Sequence, residues 1–226
     1  MISIAIDGPS GAGKSTISKA VAKRFGYIYV DTGAIYRTIG LAAKLRNIDA
    51  ADSRAVISML PELNIEIEYN ESGAQCMILD GADVSGDIRL PEVSMLASKV
   101  AAIPEVREYL VDMQRKMAER YDVVMDGRDI GTVILPNADL KIFLTASSED
   151  RARRRYEELL QKGIKESFED VLKDLIKRDE QDTQRAAAPL KAADDAVLLD
   201  TSGNTLEESI NAVCGIISER IGSDRK

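Results

Sequence analysis

The chain has 226 residues, a formal net charge of −8, no histidine and no tryptophan. Without histidine there is no His-dependent triad, His metal site or His general base, so any chemistry rests on Lys, Arg, Asp, Ser, Thr, backbone dipoles and a bound cation. An acidic chain with 4% aromatic residues is a poor match for nucleic acid or an anionic membrane, both polyanions, and offers no stacking platform for single strands.

The length fits one domain with an inserted subdomain. In chain order, Ile2–Asp7 reads as a buried strand and Gly13–Phe25 as a helix. Tyr27–Asp31 reads as a second strand and Ala34–Arg46 as a second helix. Val123–Asp126, Leu140–Thr145 and Ala196–Asp200 read as three further buried strands, with helices predicted over 104–120, 148–161, 167–185 and 205–221. Strands separated by helical stretches predict an α/β domain, a parallel sheet with helices on its faces. Residues 63–85 break this rhythm: Ile65, Ile67 and Tyr69 alternate with Glu66 and Glu68, Asn70-Glu71-Ser72-Gly73 is a turn signal, and Cys76–Leu79 returns. The expectation is an antiparallel meander inserted between the second and third core strands, either a surface decoration or a structure beside the ligand crevice. The tail Ser223–Lys226 is expected to fray. Cys76 and Cys214 lack a CxxC spacing and are expected to be reduced thiols in a cytoplasm. The N-terminal MISIAIDGPSG has no basic region or long apolar run of a signal peptide, and no apolar run reaches the roughly 18 residues of a membrane span.

Gly8-Pro9-Ser10-Gly11-Ala12-Gly13-Lys14-Ser15 fits G-x-x-x-x-G-K-[ST] directly after a predicted strand and before a predicted helix. Such a loop turns backbone N–H groups toward phosphate oxygens and adds the positive end of a helix dipole. Lys14 can reach the β and γ oxygens of a bound triphosphate, and the Ser15 hydroxyl can ligate Mg²⁺. The loop alone does not separate a kinase from a GTPase switch or a motor ATPase, but no NKxD stretch is present to read guanine.

The acceptor side decides between them. Thr32 is placed to cap the second helix, with Arg37 one turn inside and its guanidinium free to swing toward the crevice. The strand from Val123 ends in Asp126, set to orient a metal through its water shell, followed by Arg128 and Asp129. Ser147 or Ser148 caps a helix that carries Arg151 and Arg155 on one face. Following a core strand, this arginine run is read as a mobile lid over the triphosphate rather than an exposed nucleic-acid patch. In the helix over 167–185, Phe168, Val171, Leu172, Leu175 and Ile176 form an apolar stripe that continues as Arg178, Asp182 and Arg185. That charged continuation either lines a polar cleft or emerges into solvent; Pro189 ends the segment. Many arginines and no histidine suit an acceptor that is itself a phosphate, already ionised at neutral pH and needing no strong base. A kinase for another nucleoside monophosphate or small metabolite, or a nucleotide-dependent binding switch, remains open on these residues alone. Ser202 and Gly203, after the last strand, are the candidates for an adenine contact.

IDGPSGAGKST, DTGAIYR, DGRDIGTV, KIFLTASSEDRARRR and KRDEQDTQRAAAPL occur in this order and resemble the bacterial cytidylate kinases of the P-loop nucleoside monophosphate kinase family. The resemblance covers nearly the whole chain. It implies a three-layer domain with a five-stranded parallel sheet, an antiparallel NMP-binding insert over 60–103 and a helical lid over 147–164. It also implies transfer of phosphate from MgATP to CMP or dCMP. The acidic charge and the lack of an apolar span lead to the expectation of no nucleic-acid or membrane partner, and nothing in the chain requires more than a monomer. By motif, Gly8 to Thr16 would hold ATP, with Lys14, Arg128, Arg151 and Arg155 at the transferring group. Thr32, Arg107, Asp129 and Arg185 would read cytosine; Arg178 and Asp182 would hold the pentose, with Ser98 supporting Asp182. Arg37 and Arg128 would grip the CMP phosphate, and Ser15 and Asp126 (via water) would serve Mg²⁺. The chain has Thr32 where many relatives have serine, keeping the hydroxyl and adding a methyl.

Overall fold

A computed structural model describes residues 1–71, 73–161 and 163–222, so the predicted fraying of the tail and Ser72 of the predicted turn lie outside the described residues. A five-stranded parallel sheet has the order β2-β6-β1-β7-β8, with β1 at Ser3–Asp7, β2 at Ile28–Asp31, β6 at Val123–Gly127, β7 at Leu140–Thr145 and β8 at Val197–Asp200. The chain divides into two compact units, 1–28 with 121–226, and 29–120, with β2 across the division.

In the first unit Ile4, Ala5, Ile6, Val123, Val124 and Met125 are all fully buried, which is why β1 and β6 read as unbroken apolar runs. β1 pairs in parallel with β6 and β7, and β7 with β8. The register sets Ile6 beside Asp126 and Asp7 beside Gly127, so the carboxyl ends of β1 and β6 are flush. The chain leaves β1 toward β2 and leaves β6 toward β7, in opposite directions across the sheet. Such a switch opens a crevice at the strand ends. Helix α1 (Lys14–Phe25) packs on β6, and α8 (Leu206–Ile221) packs on α1. α8 starts with a capping box of Thr205 and Glu208. Helices α6 (Ser148–Gln161) and α7 (Phe168–Gln184) pack on each other through Ala152, Leu159 and Val171.

The second unit contains α2 (Thr32–Leu45), α3 (Ser53–Met59), α4 (Pro91–Val100) and α5 (Pro104–Arg120). It also holds the predicted meander: β3 (Ile65–Tyr69), β4 (Gln75–Leu79) and the short β5 (Ala82–Asp83), antiparallel in that order. The turn is closed by Asn70, whose carbonyl accepts from Gly73 and whose side chain accepts from Ala74. One core joins these elements, with Ile39, Met77, Ile88 and Leu110 fully buried. Each contributes roughly 1.5–3 kcal/mol by leaving water. α3 and α4 were not foreseen, although Val93, Leu96, Ala97 and Val100 carry helical spacing.

Three expectations are corrected here. β8 is an edge strand and not a buried one, with Leu198 69% exposed. Asp31, not Thr32, caps α2: its carboxylate accepts from Ala34 N at 2.8 Å, and Thr32 is already helical. Ile176 is not part of a continuous buried stripe on α7, since it is 42% exposed while Val171 and Leu175 are buried. Among the described residues no helix is long and apolar enough to cross a membrane, and Cys76 and Cys214 are both free thiols.

Candidate active site

The phosphate loop is held by sterics as well as sequence. At Gly8 φ is 151°, and a Cβ there would stand 1.9 Å from the Leu144 carbonyl oxygen. Only glycine lets the chain turn out of β1 so close to β7. Gly13, at φ 85°, then starts α1 with no side-chain cap and no acid in its first turn. The first N–H groups of α1 therefore meet no acid of their own first turn and suit an anion.

Lys14 is buried, and its Nζ donates to the Pro9 carbonyl at 2.7 Å. The amine lies folded against its own loop. Burial lowers its pKa to about 7, with the Arg128 charge adding to the effect. Ser15 Oγ donates to Asp126 Oδ2 at 2.9 Å. One hydroxyl and one carboxylate, both hard oxygen donors, thus stand together beside the loop. They fit a small divalent cation that keeps most of its ligands as water and phosphate oxygen.

Beyond β6, charges form a chain within the first unit. Arg128 Nε donates to Asp182 Oδ2 at 2.7 Å. Arg185 lies 3.8 Å from Asp182 and 3.5 Å from Asp129, while its Nε donates to Ala188 O at 2.6 Å. The charged continuation of the α7 stripe is therefore turned toward the loop after β6, not into solvent. Asp129 is buried, and Asp182 and Arg185 are nearly so. Burial is the largest single influence and works against the Asp182 charge, but the guanidinium groups of Arg128, Arg178 and Arg185 together outweigh it and hold the carboxyl below its ordinary value.

The arginines of α6 depart from expectation. Ser147 caps the helix, accepting from Asp150 N at 3.1 Å. Arg151 is buried and fastened rather than swinging: it donates to Ala146 O and Ser10 O, each at 2.9 Å, and pairs with Asp179 at 2.5 Å. Arg155 pairs with Glu158 at the surface. Arg154 was missed: it donates to Thr201 O at 2.7 Å and reaches Ala12 O at 3.4 Å. Its place one turn beyond Arg151 was the available signal. Asp179 was also missed; it accepts from Arg151 and, at 3.3 Å, from Ser10 N. Ser202 Oγ accepts from Ser147 N, and Gly203 N donates to Asp150.

In the second unit, Thr32 is buried at the start of α2. Arg37 pairs with Asp31 at 3.0 Å. Arg107 is buried, donates to Ala101 O and lies 5.4 Å from the Tyr36 ring centroid. Ser98 Oγ donates to Ser94 O within α4.

Asp7 carries a stability signature. Burial pushes its carboxyl from 3.8 up to about 6. The folded chain then binds that proton more tightly than the unfolded chain, so ionised Asp7 costs stability above pH 6, and the cost is relieved on acidification. Urea unfolding of the wild type and Asp7→Asn at about pH 7.5 and about pH 4.5 should show the wild type gaining about 2 kcal/mol relative to the variant on acidification. Parallel changes in the two proteins would remove Asp7 from this role.

Fold and site together define a P-loop kinase, a parallel α/β sheet with a phosphate loop facing an arginine–carboxylate chain. The family model described as cytidylate kinase matches residues 4–219. The cytidylate kinase of Caldicellulosiruptor bescii is 50% identical over 212 residues, covering 94% of this chain and 93% of that protein. The cytidylate kinase of Desulfitobacterium hafniense is 50% identical over 220 residues, covering 97% and 94%, and that of Carboxydothermus hydrogenoformans 47% identical over 217 residues, covering 96% and 97%. The chain belongs to the cytidylate kinase family. Its fold is also similar to the crystal structure of an uncharacterized protein from Eubacterium ventriosum, with TM-score 0.55, 13% identity, and coverage of 97% of this chain and 100% of that one.

Proposed function

We propose that this chain transfers the γ-phosphoryl group of MgATP to CMP or dCMP, giving CDP or dCDP. The observation that carries the reading is the linked set Arg128, Asp182, Arg185 and Asp129 in the same unit as the phosphate loop, in a chain of this family. Gly8 to Thr16 hold the ATP phosphates, with Lys14 at the β and γ oxygens. Ser15 and, through water, Asp126 hold Mg²⁺, which when bound offsets charge on the phosphates. Arg37 and Arg128 grip the acceptor phosphate. Arg178 and Asp182, supported by Ser98, hold the pentose. Thr32, Arg107, Asp129 and Arg185 read the base: Asp129 accepts from the exocyclic amine of cytosine, a donor that uracil replaces with an acceptor. Arg151, already drawn inward to Ser10 O beside the phosphate loop, and Arg155 serve the transferring group from a lid at 147–164, and the insert at 60–103 enlarges the acceptor side. Two anionic phosphates repel, and fixed arginine forks lower that cost where charge gathers. The acceptor oxygen is already ionised at neutral pH, so the missing histidine is no handicap. The two free thiols suit a cytoplasm, and the chain acts as a monomer.

ADP formation measured with CMP, dCMP, UMP, AMP or water alone tests the assignment. CMP and dCMP should raise turnover far above the water rate, and UMP and AMP much less. A CMP rate equal to water would end the cytidylate reading, and slow turnover unaffected by every acceptor would favour a nucleotide-dependent switch.

A further inference from the structure

Asp7 is the residue whose burial has no counterpart in the chemistry described so far. It ends β1, is 4% exposed, and precedes the first glycine of the phosphate loop. An apolar residue would fill such a place at no desolvation cost, whereas a carboxylate there must be matched by donors. Its donors are two backbone amides from a distant segment: Ile130 N reaches Oδ1 and Gly131 N reaches Oδ2, each at 2.8 Å.

Those amides belong to the turn that follows Asp129. One π-type turn runs over Ile130–Ile134, closed by bonds from Val133 N and Ile134 N to the Asp129 carbonyl. Like the first N–H groups of any helical turn, Ile130 N and Gly131 N have no partner within it. No local side chain caps it. Asp7 supplies the cap from the neighbouring strand. A Cβ at Gly131 would make only ordinary contact with Asp7 Oδ2, at 3.4 Å, and would press instead on the Lys141 side chain, 3.0 Å from its Cδ. The turn so held begins at Asp129, whose side chain faces Arg185 at 3.5 Å.

We infer that Asp7 is a positioning residue for acceptor selection: by clamping Ile130 N and Gly131 N it fixes the backbone at Asp129 and joins that turn to the start of the phosphate loop. The inference rests on the reading in which Asp129 contacts the acceptor base. The positively charged group facing Asp7 is Lys14, and the negatively charged one is Asp129. Asp7 therefore sits between the phosphate loop and the turn after Asp129, bonded to the backbone of that turn.

Asp7→Asn tests this, because it keeps the shape and one acceptor but sets an amide donor against one of the two N–H groups. KM for CMP should rise about tenfold, with KM for ATP and kcat at saturating CMP within about twofold of wild type, and the preference for CMP over UMP should fall. In the Asp129→Ala background, Asp7→Asn should add little to the CMP loss, because both act through one contact. Asp7→Ser, which shortens the side chain and leaves a single hydroxyl oxygen for the two N–H groups, should give the same split, and it decides the matter if Asp7→Asn does not fold. Equal rises in KM for ATP and CMP, or full additivity with Asp129→Ala, would overturn the inference and leave Asp7 as part of the loop's framework. An Asp129→Ala enzyme with unchanged KM for CMP would instead overturn the base-reading assignment, and this inference with it.

Discussion

Lys14→Ala should lower kcat by on the order of a thousandfold or more while leaving CMP binding nearly unchanged. Lys14 is the one lysine inside the phosphate loop, and no other side chain of Gly8 to Ser15 carries a positive charge. Its amine, now bonded to the Pro9 carbonyl, has only to swing from that oxygen to a phosphate. Burial already disfavours its charge, and a triphosphate restores it, so the lysine is more valuable with ATP present than without. Removing it deletes charge stabilisation where the transition state needs it. The fold should survive, because the substitution also removes a buried cation at the cost of one bond to a carbonyl. Single-turnover kinetics with calorimetric CMP titration measures both quantities. Retained transfer would undo the role given to the loop, and loss of CMP binding in equal measure would point to unfolding.

Asp129→Ala should raise KM for CMP by about a hundredfold with little change in ATP binding. Two losses combine: the acceptor for the exocyclic amine, and the carboxylate facing Arg185. Arg185 keeps Asp182 at 3.8 Å and the Ala188 carbonyl, so the variant does not strand a buried guanidinium. Discrimination against UMP should shrink, because the uracil oxygen no longer meets a carboxylate. Steady-state kinetics with both nucleotides reads this, and parallel losses for ATP and CMP would mark Asp129 as a metal or framework residue.

Much of the architecture was legible because the central strands β1 and β6 are buried on both faces. Val123 to Met125 and Ile4 to Ile6 have no polar interruption, so their extent and their terminal Asp126 and Asp7 follow from the sequence alone. The meander was visible for the opposite reason: Ile65 is buried and Glu66 and Glu68 are not, giving the alternation of a half-solvated strand. Local choices between neighbours were harder. Asp31 and Thr32 are both good caps, and only the backbone, extended at Asp31 and helical at Thr32, decides between them. The arginine run after Ser148 announced an anion site, but not that Arg151 would turn inward to Ser10 while Arg155 faced Glu158. Helical spacing places two side chains on one face and says nothing of which carboxylate each will find. Arg37 shows the same limit, held by Asp31 six residues earlier through a pairing that requires the cap geometry first. Asp7 was read only as a strand end, since its role depends on amides 123 and 124 residues away.

The central claim is that a phosphoryl group leaves ATP for the phosphate of a cytidine nucleotide. The direct measurement is the fate of the label from γ-labelled ATP incubated with enzyme, Mg²⁺ and CMP. Label recovered in CDP, dependent on CMP and lost in Lys14→Ala, is the predicted result. Label recovered only as free phosphate, at a rate indifferent to CMP, would contradict it.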